Sequence, residues 1–184
     1  MKAVLISIQP KWCELIASGE KTIEVRKTHP NRPTPFKCYI YCTKSRVPYE
    51  SFGVNKRPVE CGGYVIGEFE CKDVRNYCPD PYGLPEYFIS DLKATCLTME
   101  ELWSYGKGKE LYGWHISDLV IYDEPKPLSE FYGYCGDNPK CDGCKYLWVE
   151  SNESVGYYEQ CCSLLEGCKP LKRPPQSWCY VEGL

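Results

Sequence analysis

The chain has 184 residues, 43% of them hydrophobic and 14% aromatic, and a formal net charge of −3. That is enough apolar material for the core of one domain with an appendage, and too little net positive charge for a sequence-blind nucleic-acid binder. No stretch approaches the roughly 20 consecutive apolar residues of a membrane helix, and the opening Met1 to Ile8 is too short for a secretory core before Gln9-Pro10, so the expected location is the cytoplasm.

Val4 to Ile8 reads as a buried strand. Pro10, followed by Trp12, Leu15 and Ile16, reads as a short amphipathic helix with proline in its first turn, and Gly19 can take the positive φ that ends it. A strand follows at once. Thr22, Glu24 and Arg26 share one face and alternate with β-branched Ile23 and Val25, while Lys21 stands at the entrance. This row offers a hydroxyl, a carboxylate and two cations, suited to an anionic or amide-bearing ligand; the competing reading is the solvated face of an edge strand.

After the turn His29-Pro30-Asn31-Arg32-Pro33, residues 37–43 alternate as a second strand, with Cys38, Ile40 and Cys42 on one side and Tyr39, Tyr41 and Thr43 on the other. A connection holding Lys44, Arg46, Lys56 and Arg57 then forms a basic loop, placed as a lid. Residues 1–57 carry eleven Lys/Arg against four Asp/Glu (+7), and residues 58–184 eleven against twenty-one (−10), an asymmetry compatible with one phosphate-binding face. Gly63–Val74 is a long strand in which Gly67 marks a bulge or a close backbone approach.

Thr98-Met99-Glu100-Glu101 has capping-box spacing and predicts a helix through Leu102 and Trp103. Trp114–Tyr122 reads as a strand closed by Pro125 and Pro127. Either Trp114 or His115 is placed to line a cavity, though a structural role is the better assignment for His115. Arg173-Pro174-Pro175-Gln176 is a stiff turn into a final strand through Val181. Many short strands and few helices predict an α+β fold, a small β-barrel flanked by short helices. The expected division is a barrel domain over 1–130 and a cysteine-rich extension over 131–184 whose last strand returns to the barrel.

There are fourteen cysteines. Without an export signal, thiols or metal ligation are expected rather than disulfides. The second half of the set crowds the C-terminal extension. Cys135-x5-Cys141-x2-Cys144 supplies three thiolates around a turn freed by Gly143, and Cys168 is preferred over Cys161 and Cys162 as the fourth ligand of a structural zinc site. Reduced free thiols and a redox CxxC pair are the rival readings; the redox one lacks the strand-to-helix context that lowers a thiol pKa.

The order Ile6-Ser7-Ile8-Gln9-Pro10-Lys11-Trp12, Gly19-Glu20-Lys21-Thr22-Ile23-Glu24-Val25-Arg26, Tyr39-Ile40-Tyr41 and Val65-Ile66-Gly67-Glu68-Phe69 resembles the ASCH domain family. The resemblance spans roughly residues 1–130, and the tail looks like an extension of prophage-type members. It implies a PUA-like β-barrel with a cleft for RNA or a modified nucleobase, lined by Lys21, Thr22, Glu24 and Arg26. One enzymatic branch, similar to acetylcytidine amidohydrolases, places a threonine nucleophile where this chain has Glu24, so that mechanism is not expected. In the ribonuclease branch Lys21 and Arg26 would neutralise a phosphate while Glu24 moves the 2′-hydroxyl proton without a metal.

The leading expectation is therefore an RNA or modified-nucleotide binding module using Lys21, Thr22, Glu24 and Arg26, helped by Lys44 and Arg46 of the basic loop. Tyr39, Tyr41 and Tyr49 are candidate stacking rings, with core packing an equal alternative for Tyr39 and Tyr41. The alternatives are a metal-independent ribonuclease or nucleoside-processing hydrolase in the same cleft, and a protein-interaction module around Tyr157, Tyr158, Leu164 and Leu165. For the zinc site the expected outcome is about one equivalent of metal in the purified protein, with Cys141→Ser losing it and loosening the tail but not the barrel. A folded protein free of metal would refute that site.

Overall fold

The computed structural model describes residues 2–44, 62–77, 86–133 and 170–183. Its elements run β1 (Lys2–Ile8), α1 (Pro10–Ala17), β2 (Ile23–Arg26), β3 (Phe36–Cys42), β4 (Tyr64–Asn76), α2 (Glu86–Thr95), α3 (Met99–Gly106), β5 (Tyr112–Pro127) and β6 (Trp178–Glu182). The strands form one sheet in the order β2-β5-β4-β3-β1-β6. β1 and β3 are parallel, with Val4 opposite Cys38 and Ile8 opposite Cys42, and every other neighbouring pair is antiparallel. A parallel pair needs a crossover, which here is the segment carrying α1 and β2.

The alternating residues of β3 decide the layering. Cys38, Ile40 and Cys42 join Val4, Ile6, Ile8, Phe69 and Trp114 in one core, while Tyr39 and Tyr41 join Leu5, Val65, Phe131 and Val181 in a second core on the opposite face. Both faces of the central strands are thus covered, so Tyr39 and Tyr41 are packing residues; Tyr39 meets Phe131 edge-on at 5.0 Å. α1 closes the first core with Cys13 and Ile16. Burial pushes the Cys38 thiol well up and that of Cys71 to about 12, so both sit in the core as protonated apolar groups.

A third core joins Ile23 and Val25 of β2 to Phe88 of α2 and Leu102 of α3. α2 has no counterpart in the sequence-based expectations, although Phe88, Leu92 and Thr95 recur at helical spacing. α3 starts where the capping box requires: Glu101 N–H donates to Thr98 Oγ1 at 3.1 Å, and Thr98 N–H to Glu101 Oε2 at 2.8 Å.

The sheet curls into a half-barrel. Its edge strands β2 and β6 share no ladder among the described residues, yet Trp178 of β6 packs on Trp114 of β5 at 6.0 Å. Its Nε1–H donates to Thr28 Oγ1, just beyond β2, at 3.0 Å. The expected small barrel is realised as a curled sheet, open along one seam. β5 also runs on through Pro125 to Pro127 where the sequence reading ended it. β2 reaches only to His115, so the outer edge of β5 beyond that point has no strand partner among the described residues, and a missing N–H there costs nothing.

Curvature is concentrated at bulges between β4 and β5, one of them at Gly67. A Cβ at Gly67 would lie 2.4 Å from the Val120 carbonyl oxygen, a backbone atom that cannot swing aside. Gly67→Ala is expected to destabilise the protein by about 2 kcal/mol or more in urea unfolding. A substitution that left stability unchanged would refute the close approach.

Candidate functional site

The open seam is a cleft of about 950 Å³. β2 supplies Glu24 and Arg26, with Lys21 at its entrance; β1 supplies Ser7; α1 supplies Trp12; α3 supplies Glu100, Glu101, Ser104 and Tyr105. The segment Pro174–Gln176, just before β6, forms the remaining wall. A volume of this order accommodates a nucleoside-sized group.

Alternation along β2 explains why these groups share the seam. Ile23 and Val25 turn toward the helices, so Glu24 and Arg26 face the opposite way, toward the first turn of the crossover and β1. The sequence reading allowed this face to be solvated, but all four β2 residues are buried because β5 and the helices cover the strand.

Burial makes the polar partners decisive. Lys21, only 2% exposed, donates from Nζ to the Thr95 carbonyl at 2.6 Å, lies 3.4 Å from Glu24 Oε2 and sits 5.1 Å above the Trp12 ring. Glu24 Oε1 meets Arg26 Nη2 at 3.0 Å. The same Nη2 donates to the Ser7 carbonyl, crossing the seam from β2 to β1. One carboxylate thus holds two cations, each of which is also anchored to backbone. Arg26 Nε–H remains buried with no acceptor among the described residues.

The C-terminal wall is attached to the same serine. Ser7 N–H donates to the Ser177 carbonyl at 2.8 Å, and Ser7 Oγ to the Pro175 carbonyl at 2.7 Å. On the opposite wall, burial raises the Tyr105 hydroxyl above its ordinary range, leaving a neutral donor and acceptor at the mouth. Lys27 Nζ lies 4.8 Å from the Tyr105 ring, and Lys11 Nζ 4.5 Å from the Trp12 ring.

Of the described residues singled out from sequence as ligand contacts, Lys21, Glu24 and Arg26 converge on the cleft, and Thr22, Tyr41 and Lys44 are not in its lining. Thr22 is exposed and outside the lining; its N–H and carbonyl bond to Ala94 and Ile116. Tyr41 is core, and Lys44 is exposed beside Gly63, next to the lining residue Thr43 but not itself in the lining. Arg46, Tyr49, Lys56, Arg57, Tyr157, Tyr158, Leu164 and Leu165 fall outside the described residues, as do Cys135, Cys141, Cys144, Cys161, Cys162 and Cys168. Among the described residues no group of three or more His, Cys, Asp or Glu is placed to hold a metal.

Trp114 and His115 do not line the cleft. Trp114 is core, and His115 Nε2 lies 3.4 Å from Asp91 Oδ2. Asp91 also accepts from Tyr77 and Arg75, tying α2 to β4. Desolvation lowers the His115 pKa, which favours a neutral imidazole and a structural role. Sequence reasoning missed Trp12 and Tyr105 as cleft residues because each reads as an ordinary member of an amphipathic helix. It missed Gln176 because a proline-rich turn carries no signal of where it docks.

The ASCH domain family model matches residues 6–136. Among solved structures, the chain is similar to the crystal structure of ASCH from Zymomonas mobilis, at 22% identity over 68% of this chain and 73% of that one, with a TM-score of 0.48. A tyrosine-to-phenylalanine variant of that protein aligns at 19% identity over 70% and 77%, with a TM-score of 0.51, and this likeness supports the fold. No curated protein sequence matches the chain.

The charge geometry predicts an order of stabilities. Glu24→Ala strands two buried cations and is expected to cost about 3 to 5 kcal/mol, whereas Lys21→Met leaves Glu24 paired with Arg26 and should cost clearly less. Urea unfolding of the two variants checks this, and equal losses would contradict the shared-carboxylate arrangement.

Proposed function

The chain belongs to the ASCH domain family, and from that premise we propose that it binds single-stranded RNA, or a modified nucleotide within it, in the seam cleft. ASCH domains form a family of PUA-like RNA-binding modules. The observation that carries the reading for this chain is the pairing of aromatic rings with cations at the cleft. Trp12 and Tyr105 line it, and each has a lysine ammonium near its ring, Lys11 and Lys27 respectively. A base stacks on the ring while the neighbouring phosphate meets the lysine, the combination by which single strands are held.

The rest of the lining favours binding over turnover. Lys21 is occupied by the Thr95 carbonyl and by Glu24, Thr22 lies outside the lining, and the Ser7 hydroxyl is committed to the Pro175 carbonyl. The one serine hydroxyl of β1 in the lining is thus held by a carbonyl and not by a base that would activate it as a nucleophile. The Lys21, Glu24 and Arg26 constellation then acts as the polar floor of a binding site. Cys135, Cys141, Cys144 and Cys168 are proposed separately as the ligands of a structural zinc.

A labelled single-stranded RNA panel, read by fluorescence anisotropy, tests this. Trp12→Ala is expected to weaken binding by at least about fivefold, the loss of one stacked base. The same mixtures on a denaturing gel separate binding from cleavage: cleavage abolished by Glu24→Gln would replace the binding reading with the ribonuclease one. Absence of any RNA complex with the unaltered protein would overturn it.

A further inference from the structure

Most of the cleft wall comes from residues 6–136, the stretch matched by the family model, but Pro174, Pro175 and Gln176 lie far beyond it. This segment is firmly seated. β6 pairs with β1 from Trp178 opposite Ile6 to Glu182 opposite Lys2, Ser7 holds the Pro175 and Ser177 carbonyls, and Trp178 is hydrogen-bonded to Thr28. The two prolines fix φ and offer no N–H, so little chain freedom remains. With the Pro175 carbonyl taken by Ser7, the group that this wall still offers is the Gln176 carboxamide. It is exposed at the cleft and makes no hydrogen bond among the described residues.

The charges of the lining say what kind of group would meet it. The two buried cations, Lys21 and Arg26, are already engaged by Glu24 and by backbone carbonyls, and the exposed Glu100 and Glu101 add two carboxylates to the lining, so no free cation of the floor awaits a phosphate. Such a lining suits an uncharged polar heterocycle, which presents donors and acceptors on its edge without adding charge to the cleft. A carboxamide carries one acceptor and two donors, which matches such an edge in bidentate fashion.

We propose that Gln176, carried into the cleft by the C-terminal segment, is the specificity-determining residue that reads the edge of an uncharged RNA base. The inference rests on the RNA-binding reading of the cleft. It assigns the choice of base to a part of the chain outside the family-matched region, while stacking on Trp12 and Tyr105 supplies affinity without preference. Because Gln176 is exposed and unbonded, its replacement leaves the seam contacts of Ser7, Glu24 and Arg26 in place.

The experiment compares fluorescein-labelled octamers of adenylate, cytidylate and uridylate on the full chain and on Gln176→Ala, with thermal melting as the folding control. The unaltered protein is expected to prefer one octamer by about tenfold, the discrimination of a bidentate amide contact, and Gln176→Ala to reduce that preference to about twofold with its melting temperature and salt dependence unchanged. Retention of the original preference in Gln176→Ala, or equal binding of all three octamers by the unaltered protein, overturns the assignment to Gln176 while leaving the cleft reading intact. Failure of the unaltered protein to bind any octamer overturns the cleft reading, and the inference with it.

Discussion

Glu24 is the charge around which the seam is organised. Removing a carboxylate and two cations from water is costly, and the mutual attraction of the three offsets that cost only if each remaining hydrogen-bonding site finds a partner. Here Lys21 finds the Thr95 carbonyl at the end of α2, and Arg26 finds the Ser7 carbonyl on β1. Those two backbone acceptors belong to elements far apart in the chain. The ion cluster therefore ties α2, β2 and β1 together at the place where the sheet fails to close, and it fixes the shape of the cleft floor as a consequence of folding.

The two-sided core explains why the sheet can leave a seam without losing stability. Central strands β1 and β3 are covered on both faces, one face by α1 and Trp114 and the other by Phe131 and Val181. Closing the barrel is not required to bury apolar surface there, because helices and the C-terminal strand already do so. What is left open is the line between β2 and the β1/β6 edge, bridged among the described residues by hydrogen bonds from Arg26 to Ser7 and from Trp178 to Thr28 and by the packing of Trp178 on Trp114.

Ser7 is the common point of these arrangements. Its carbonyl receives the guanidinium of Arg26, its N–H donates to Ser177, and its hydroxyl donates to Pro175. One residue on β1 thereby holds both the polar floor, through its backbone carbonyl, and the C-terminal wall, through its N–H and hydroxyl. The matched family region thus supplies the aromatic and charged surfaces, and the C-terminal segment adds a neutral amide opposite them.

The alternation of Ile23 and Val25 with Glu24 and Arg26, the helix stop at Gly19, the capping box at Thr98 and the two-faced pattern of residues 37–43 are local signals, and each was legible from residue type and spacing alone. So were the family and the shared face of Glu24 and Arg26, because a period of two places neighbours on one face whatever the strand packs against; Lys21 lies off that period, and its convergence with them is set by the fold. The burial of that face, the absence of Thr22 and Lys44 from the lining, the assignment of Tyr41 to a core and the docking of the segment around Pro175 against Ser7 were not legible. They depend on which elements meet across the seam, and those contacts join residues as distant as Ser7 and Pro175. The sequence by itself determined which groups share a strand face; only the tertiary structure decided which faces are enclosed, because enclosure is set by long-range packing that no local period encodes.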